Sequence, residues 1–123
     1  MRPRNKTLTG QELEIMKIVW ERERATVRDV YEALLERRKV AYTTVMTMMK
    51  ILEQKGFLKK SQDERAYVYR PAQPQRQVVG AMVREFVNRV FNGAAEPLLV
   101  HLVEEHNLSR EDLEEIARLR RKP

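Results

Sequence analysis

The chain has 123 residues, enough for one modest domain core plus a helical appendage. No apolar run approaches the roughly 18 residues that a membrane span needs. The chain has no cysteine, which excludes disulfides and thiolate metal sites, and its basic N-terminus lacks the apolar core of a signal peptide. We therefore expect a cytoplasmic protein without membrane insertion.

The charge is distributed unevenly along the chain. Residues 1–72 contain 16 Lys and Arg against 10 Asp and Glu, whereas residues 73–123 contain 8 of each class. The whole excess of +6 therefore lies in the first part. This division predicts a polyanion-binding domain over residues 1–72 and an assembly or sensing domain over residues 73–123. A basic surface without a partner is the alternative, because a high pI indicates partners only weakly.

Two helix starts are visible near the N-terminus. Thr9 and Glu12 have the spacing of a capping box, which predicts a first helix ending near Glu23. Thr26 is a good N-cap for a second helix, which should end near Arg37. Apolar residues at helical spacing define the inward faces of both helices. They are Leu13, Ile15, Met16, Val19 and Trp20 in the first helix, and Val27, Val30, Leu34 and Leu35 in the second.

A third helix and a hairpin follow. The helix should begin at Ala41 or Tyr42 and stop at Gly56, because glycine is the usual left-handed residue after a helix. Residues 57–61 and 65–70 read as two strands around a polar turn, with Tyr67 and Tyr69 in alternation with their neighbours, as in a half-buried strand. Three helices followed by a hairpin are the element order of a winged helix-turn-helix, and the hairpin is its wing.

The remaining residues are helical in pattern. A long apolar stripe is broken at Asn92 and Gly93, and further helices should begin near Pro97 and at Ser109. Homodimerisation is the favoured use of these stripes, because cyclic dimers are the commonest assembly and would supply two DNA-reading domains. Packing against the first domain is the alternative. The dimerisation candidates are Val79, Met82, Val83, Phe86, Val87, Val90, Leu98, Leu99, Leu102, Leu113 and Ile116. The predicted fold is mainly α, an N-terminal winged helix-turn-helix with a C-terminal helical dimerisation region.

The third helix can be phased at 100° per residue. Val45, Met49 and Leu52 then share a core face, with Met48 close by. The opposite side lacks a carboxylate and offers the hydroxyl, ammonium and amide groups that match base edges in the major groove. A solvated helix surface is the alternative, but it usually mixes Glu with Lys. The base-reading strip comprises Thr43, Thr47, Lys50 and Gln54, flanked by Thr44 and Met46, with Tyr42 at the N-terminal end.

Further residues are candidates for the DNA backbone. Such contacts fix the register of a protein on DNA but carry no base information. Ordinary solubility is the alternative for each single cation. The backbone candidates are Thr9, Lys59, Lys60 and Arg65, with Arg70 near the wing's end and Arg4 and Lys6 as an N-terminal arm.

Catalytic chemistry has little support in the sequence. His101 and His106 are five residues apart, whereas a helical zinc pair prefers a spacing of four, and the four glycines are scattered, so no phosphate loop exists. We expect no enzyme activity, no cofactor and no metal. A winged-helix adaptor that binds proteins is the alternative function, because fold does not determine function.

Several segments together resemble the penicillinase-repressor (BlaI/MecI) family, and the resemblance covers nearly the whole chain. In the first domain they are residues 8–16, 19–20, 41–47 (AYTTVMT), 55–57 (KGF) and 65–71 (RAYVYRP); in the second they are residues 86–93 (FVNRVFNG) and 108–109. Their order and spacing carry the resemblance.

The resemblance implies a winged-helix repressor that dimerises through its C-terminal helices and binds palindromic operators of β-lactam-resistance or other stress genes. In the penicillinase branch it implies a membrane sensor-protease system that triggers cleavage between Asn and Phe in a dimerisation helix. The matching position here is His101-Leu102, a different pair. A copper-responsive branch binds metal through C-terminal cysteines, which this chain lacks.

Overall fold

A computed structural model describes residues 7–120. Arg4 and Lys6 lie outside the described residues. No helix within this range is long and apolar enough to cross a membrane. The elements, in chain order, are α1 (Gly10–Arg22), α2 (Val27–Leu35), α3 (Tyr42–Gln54), β1 (Leu58–Asp63), β2 (Ala66–Pro71), α4 (Gln75–Phe91), α5 (Ala95–His106) and α6 (Arg110–Arg118). The expected mainly helical winged-helix architecture is confirmed.

Local hydrogen bonds start the first two helices as predicted. The backbone N–H of Glu12 donates to the Thr9 hydroxyl at 3.1 Å, and the Thr9 N–H donates to the Glu12 carboxylate at 2.9 Å. Thr26 and Asp29 form the same reciprocal pair at the start of α2. Each box satisfies backbone donors that the first helical turn leaves free. The end of α2 comes at Leu35, slightly before the predicted end.

The core of the first unit lies between α1, α2 and α3 and beneath the hairpin. Its fully buried side chains come from the predicted apolar faces. Of the other predicted inward residues, Leu13, Trp20 and Val27 are half-buried, and Leu35 is exposed over 42% of its surface. Leu35 is the last residue of α2, and the core contacts of that helix are made by Val30 and Leu34. The largest fully buried side chains are Ile15, Met16, Val19, Val30, Leu34, Val45, Met49 and Leu52.

The hairpin pairs β1 with β2 in antiparallel register, from Leu58 opposite Pro71 to Asp63 opposite Ala66. The other edge of β2 is also paired at one point, where the N–H of Tyr69 donates to the Ala25 carbonyl at 2.8 Å and the N–H of Ala25 donates to the Tyr69 carbonyl at 2.9 Å. The prediction that buried and exposed side chains alternate along β2 was wrong, because the consecutive residues Val68 and Tyr69 are both buried. The base of β2 contacts both α1 and α2, so both of its faces are covered there.

The end of α3 has the geometry expected for Gly56. Its φ is +89°, and the N–H of Phe57 donates to the Leu52 carbonyl at 2.9 Å, as in a Schellman motif. Only glycine adopts this backbone without strain. The turn leads at once into β1 with Phe57 and Leu58 buried, so the end of α3 and the start of the wing are held at the same core.

The described chain divides into two compact units, with the boundary between Val79 and Gly80. In the second unit, α4 ends at two residues of positive φ, Asn92 and Gly93, and Ser109 caps α6. Neither α5 nor α6 buries any residue, and α4 buries only Val78. The described tail therefore presents its apolar stripes to solvent.

Candidate nucleic-acid interface

The two faces of α3 differ sharply in burial and chemistry. Val45, Met49 and Leu52 are completely buried, which confirms the predicted core face. All of the predicted base-reading residues are exposed, including Met46 at 45% and Tyr42 at 37%. This exposed set is Tyr42, Thr43, Thr44, Met46, Thr47, Lys50 and Gln54.

The exposed side of α3 is free of carboxylates within the described structure. The single acid of the helix, Glu53, is only partly exposed, and its Oε1 lies 3.8 Å from the Nζ of Lys60 on β1. No carboxylate therefore opposes an anion that approaches Lys50. An unopposed ammonium beside hydroxyl and amide groups is suited to a polyanion with hydrogen-bonding edges.

A groove with a volume of about 710 Å³ runs between the start of α2, the exposed side of α3 and the hairpin. We call it the wing groove. Three cations from three different elements line it, and none of its lining residues is acidic. Its lining consists of Thr26, Val27, Arg28, Tyr42, Met46, Thr47, Lys50, Lys60, Ala66, Tyr67 and Tyr69. The groove thus joins base-reading candidates to a wing candidate on one surface.

Two of the three cations that line the wing groove contact aromatic rings. Tyr42 meets Tyr31 edge to face, with centroids 5.3 Å apart, and the Arg28 guanidinium carbon lies 5.8 Å from the Tyr42 centroid. At the hairpin, Lys60 Nζ lies 4.6 Å from the centroid of Tyr67. Such cation–π contacts favour a defined position for an otherwise flexible charge.

Tyr69 lies deeper at the same end of the groove. Burial raises the pKa of its phenol above the usual value, while the nearby Lys60 ammonium partly opposes the rise. The phenol is therefore neutral at physiological pH, and it adds no negative charge beside Lys60. The wing groove keeps its positive character.

The predicted backbone contacts occupy different environments. Lys59 and Arg65 are exposed on the hairpin, whereas Lys60 is already paired with Glu53 and Tyr67. The hydroxyl of Thr9 accepts the capping hydrogen bond of α1, and Arg70 donates to Ser61 at 3.1 Å. Lys59 and Arg65 are thus the candidates whose side chains are most accessible to a DNA phosphate.

Six residues that line the wing groove were not predicted to contact DNA: Thr26, Val27, Arg28, Ala66, Tyr67 and Tyr69. Arg28 was given no role, and Tyr67 was treated only as part of a strand pattern. The position of Arg28, two residues after the Thr26 cap, could have indicated a DNA contact. The first helix of a helix-turn-helix crosses the DNA backbone. No local signal marks Tyr67, whose contact with Lys60 depends on strand register.

Eight of the eleven dimerisation candidates in the tail are exposed, whereas Met82, Val87 and Leu98 are half-buried. Val79, Val83, Phe86 and Val90 are all more than a third exposed on α4, and Phe86 packs edge to face against Phe91 at 5.9 Å. The cleavage-position pair is exposed on α5, with the His101 ring 6.0 Å from Phe91 and Leu102 40% exposed. Residues 7–120 contain no cluster of three or more potential metal ligands.

Comparison with known proteins places these features in a family. The model of the penicillinase repressor family matches residues 8–122. A curated relative, the transcriptional regulator BlaI of Mycobacterium tuberculosis, is 40% identical over 95 residues, which cover 76% of this chain and 69% of that protein.

Two solved structures are similar to the chain. One is the solution structure of the DNA-binding domain of the repressor BlaI, at 26% identity with a TM-score of 0.53, covering 60% of this chain and 90% of that one. The other is monomeric Bacillus licheniformis BlaI in complex with the blaP half-operator, at 27% identity with a TM-score of 0.50, covering 59% and 85%. Since the family match spans nearly all of the chain, this protein belongs to the penicillinase repressor family.

Proposed function

We propose that this protein is a sequence-specific DNA-binding repressor that inserts α3 into the major groove of its operator. The observation that carries the proposal is the exposed, carboxylate-free side of α3 beside a groove lined by three cations. The family membership supports it, because a similar solved BlaI chain is in complex with a half-operator. The proposal includes a cytoplasmic location and, as targets, β-lactam-resistance or other stress genes.

In this proposal different side chains of α3 contact different chemical groups of the bases. Thr43 and Thr47 bond base edges or touch thymine methyls, Lys50 reaches guanine O6 and N7, and Gln54 pairs with adenine. Thr44, Met46 and Tyr42 flank these contacts. Lys59, Lys60 and Arg65 on the hairpin, and Thr9 at the start of α1, contact the phosphate backbone.

We also propose that the protein binds as a homodimer through its tail. The supporting observation is the exposed apolar surface of α4, α5 and α6, which would be costly to leave in water at this extent. Two copies related by a two-fold axis would present two α3 helices to a palindromic operator. Residues 1–72 are then the reading domain and residues 73–123 the dimerisation domain.

Release by a sensor-protease system at His101-Leu102 stays a prediction of the resemblance. Both residues are exposed, but they lie within α5, so cleavage there requires that α5 unwind locally. Cleavage within the proposed dimerisation region would lower operator occupancy by separating the two reading domains.

The main competing function is a winged-helix adaptor that binds another protein. An adaptor has no need of an acid-free α3 surface adjoining basic groups on two other elements. The two functions differ in their response to salt, because each neutralised phosphate contributes about −0.9 to the slope of log affinity against log salt.

The deciding experiment titrates a labelled random duplex with the full chain between 50 and 200 mM salt. The proposal expects a steep negative slope, and it expects Lys59→Ala, which removes a proposed phosphate contact, to make the slope shallower. Lys17→Ala is the matched control, because Lys17 is an exposed lysine on α1 outside the wing groove. A flat line for the parent protein would overturn the DNA-binding function in favour of the adaptor.

A further inference from the structure

Arg28, on the first turn of α2, faces the same groove as Thr47 and Lys50. We propose that Arg28 binds a phosphate of the operator backbone beside α3, and that the Tyr42 ring holds the guanidinium in place for this contact. The inference rests on the proposed DNA-binding function, and it adds a contact on α2 to those of α3 and the hairpin.

The position of the guanidinium is defined by aromatic rings. Its carbon lies 5.8 Å from the Tyr42 centroid, and Tyr31 holds the Tyr42 ring edge to face at an interplanar angle of 76°. A cation–π contact does not use up the five N–H donors of a guanidinium, so they remain available to an anion. Arg28 can therefore contact Tyr42 and an anion together.

The present counter-charge of Arg28 is easily displaced. Glu32 lies one turn further along α2, with 3.5 Å between its Oε2 and the Arg28 Nη1, and both side chains are more than 60% exposed. Exposed ion pairs of this kind are weak and are screened by salt. A phosphate offers the same guanidinium a charge-assisted, bidentate partner.

The cations around Arg28 favour an extended polyanion over a single small anion. Arg28, Lys50 and Lys60 come from α2, α3 and β1, and the wing groove that they share has no acidic lining residue. Asp29, the next residue, lines a different depression with Arg24 and Val68. A chain of phosphates crossing the groove would meet one cation on each element.

The test measures operator affinity of the full chain from 50 to 200 mM salt, on genomic DNA fragments that the parent retains. Arg28→Ala should make the slope of log affinity against log salt shallower by about 0.9. The factor by which affinity falls over this salt range should therefore be about 3.5 times smaller for the variant than for the parent. Arg28→Lys keeps the charge and should keep the parent slope. Circular dichroism verifies that each variant is folded.

Glu32→Ala tests the same contact through an expected gain, not a loss, of operator affinity. Removing the competing carboxylate should raise operator affinity, and the rise should disappear when Arg28→Ala is added. Glu21→Ala, which removes an exposed carboxylate from α1, is the matched control for the change in overall charge. An equal rise in both single variants would overturn a specific competition between Glu32 and DNA.

Two outcomes separate this inference from the function on which it rests. If Lys59→Ala makes the slope shallower but Arg28→Ala retains the parent slope, the phosphate contact of Arg28 is wrong and the DNA-binding function stands. A change of base preference in Arg28→Ala without a change of slope would likewise overturn the contact and leave Arg28 a positioning residue for Tyr42. If the parent binds no DNA, both proposals fall.

Discussion

Lys55, just after α3, reaches back to Glu12 in the first turn of α1. Its Nζ lies 2.9 Å and 3.0 Å from the two carboxylate oxygens of Glu12 and 3.3 Å from the Thr7 carbonyl. Glu12 is the one buried charged residue of the described core, with 5% of its surface exposed. The same carboxylate accepts the Thr9 N–H, so one side chain both caps α1 and fixes the end of α3.

Glu12→Ala should therefore destabilise the fold by more than the loss of a helix cap. The substitution removes the capping acceptor and leaves the partly buried Lys55 ammonium without its partner. Breaking a buried ion pair from one side costs about 3 kcal/mol. Urea unfolding of the full chain at one fixed protein concentration measures this loss, because an oligomer's stability depends on concentration.

Glu21→Ala is the control for this measurement, since Glu21 is an exposed carboxylate on the same helix. Its free energy of unfolding should stay within about 0.5 kcal/mol of the parent value. Equal losses in the two variants would show that the contact between Glu12 and Lys55 contributes nothing specific.

Lys50 and Thr47 should differ in what they contribute to DNA binding. Lys50→Ala should weaken operator binding, because it removes the exposed ammonium of α3. Thr47→Ala should change base preference more than general affinity, with roughly 1–3 kcal/mol of discrimination lost at one base pair. Competition between the operator and single-base variants measures both effects. Footprints identical to the parent in both substitutions would show that the DNA-reading face is assigned wrongly.

Features of the fold that depend on residues close together in the chain could be predicted from the sequence. The capping pairs Thr9 with Glu12 and Thr26 with Asp29 join residues three apart, so the backbone brings them together once a helix starts. The core face of α3 follows from helical periodicity in the same way. The left-handed turn at Gly56 depends only on the residue that occupies it.

Contacts between distant segments could not be predicted in this way. Helical periodicity places Lys55 at the end of α3, but nothing local indicates that its partner is Glu12, 43 residues earlier. The cation–π contact between Arg28 and Tyr42 depends on how α2 crosses α3, which periodicity does not determine. Val68 is buried beside Tyr69 because tertiary contacts cover both faces of β2 at its base, overriding the period of two.

Phe86→Asp should convert the proposed dimer to monomers, because it places a charge on the exposed apolar side of α4. Phe86 also packs against Phe91, so Val83→Asp, at a position 51% exposed, serves as a second variant. Loss of one of two linked binding domains should lower operator affinity at least about a hundredfold. Sedimentation and operator titration measure the two effects.

Glu85→Ala is the control for the tail variants, because Glu85 is an exposed polar neighbour on α4. Its sedimentation should match that of the parent. Folded Phe86→Asp and Val83→Asp proteins that both sediment as unchanged dimers would place the interface on another part of the chain.

Tyr69 should produce a loss of stability at alkaline pH. Burial raises the pKa of its phenol in the folded state above that of the unfolded chain. The neutral phenol therefore contributes stability that is complete below about pH 10 and is lost as pH rises through the folded-state pKa. Tyr69→Phe cannot ionise, so its free energy of unfolding should fall less steeply than that of the parent above this pH.

Tyr67→Phe is the matched control, because Tyr67 is 54% exposed on the same strand. Removing the Tyr67 hydroxyl should leave the high-pH titration of the buried Tyr69 phenol visible in the ultraviolet absorbance. Tyr69→Phe should abolish that titration, because burial raises the pKa of the Tyr69 phenol itself. If Tyr69→Phe lost stability with pH as steeply as the parent, the buried phenol would not be the group that titrates with unfolding.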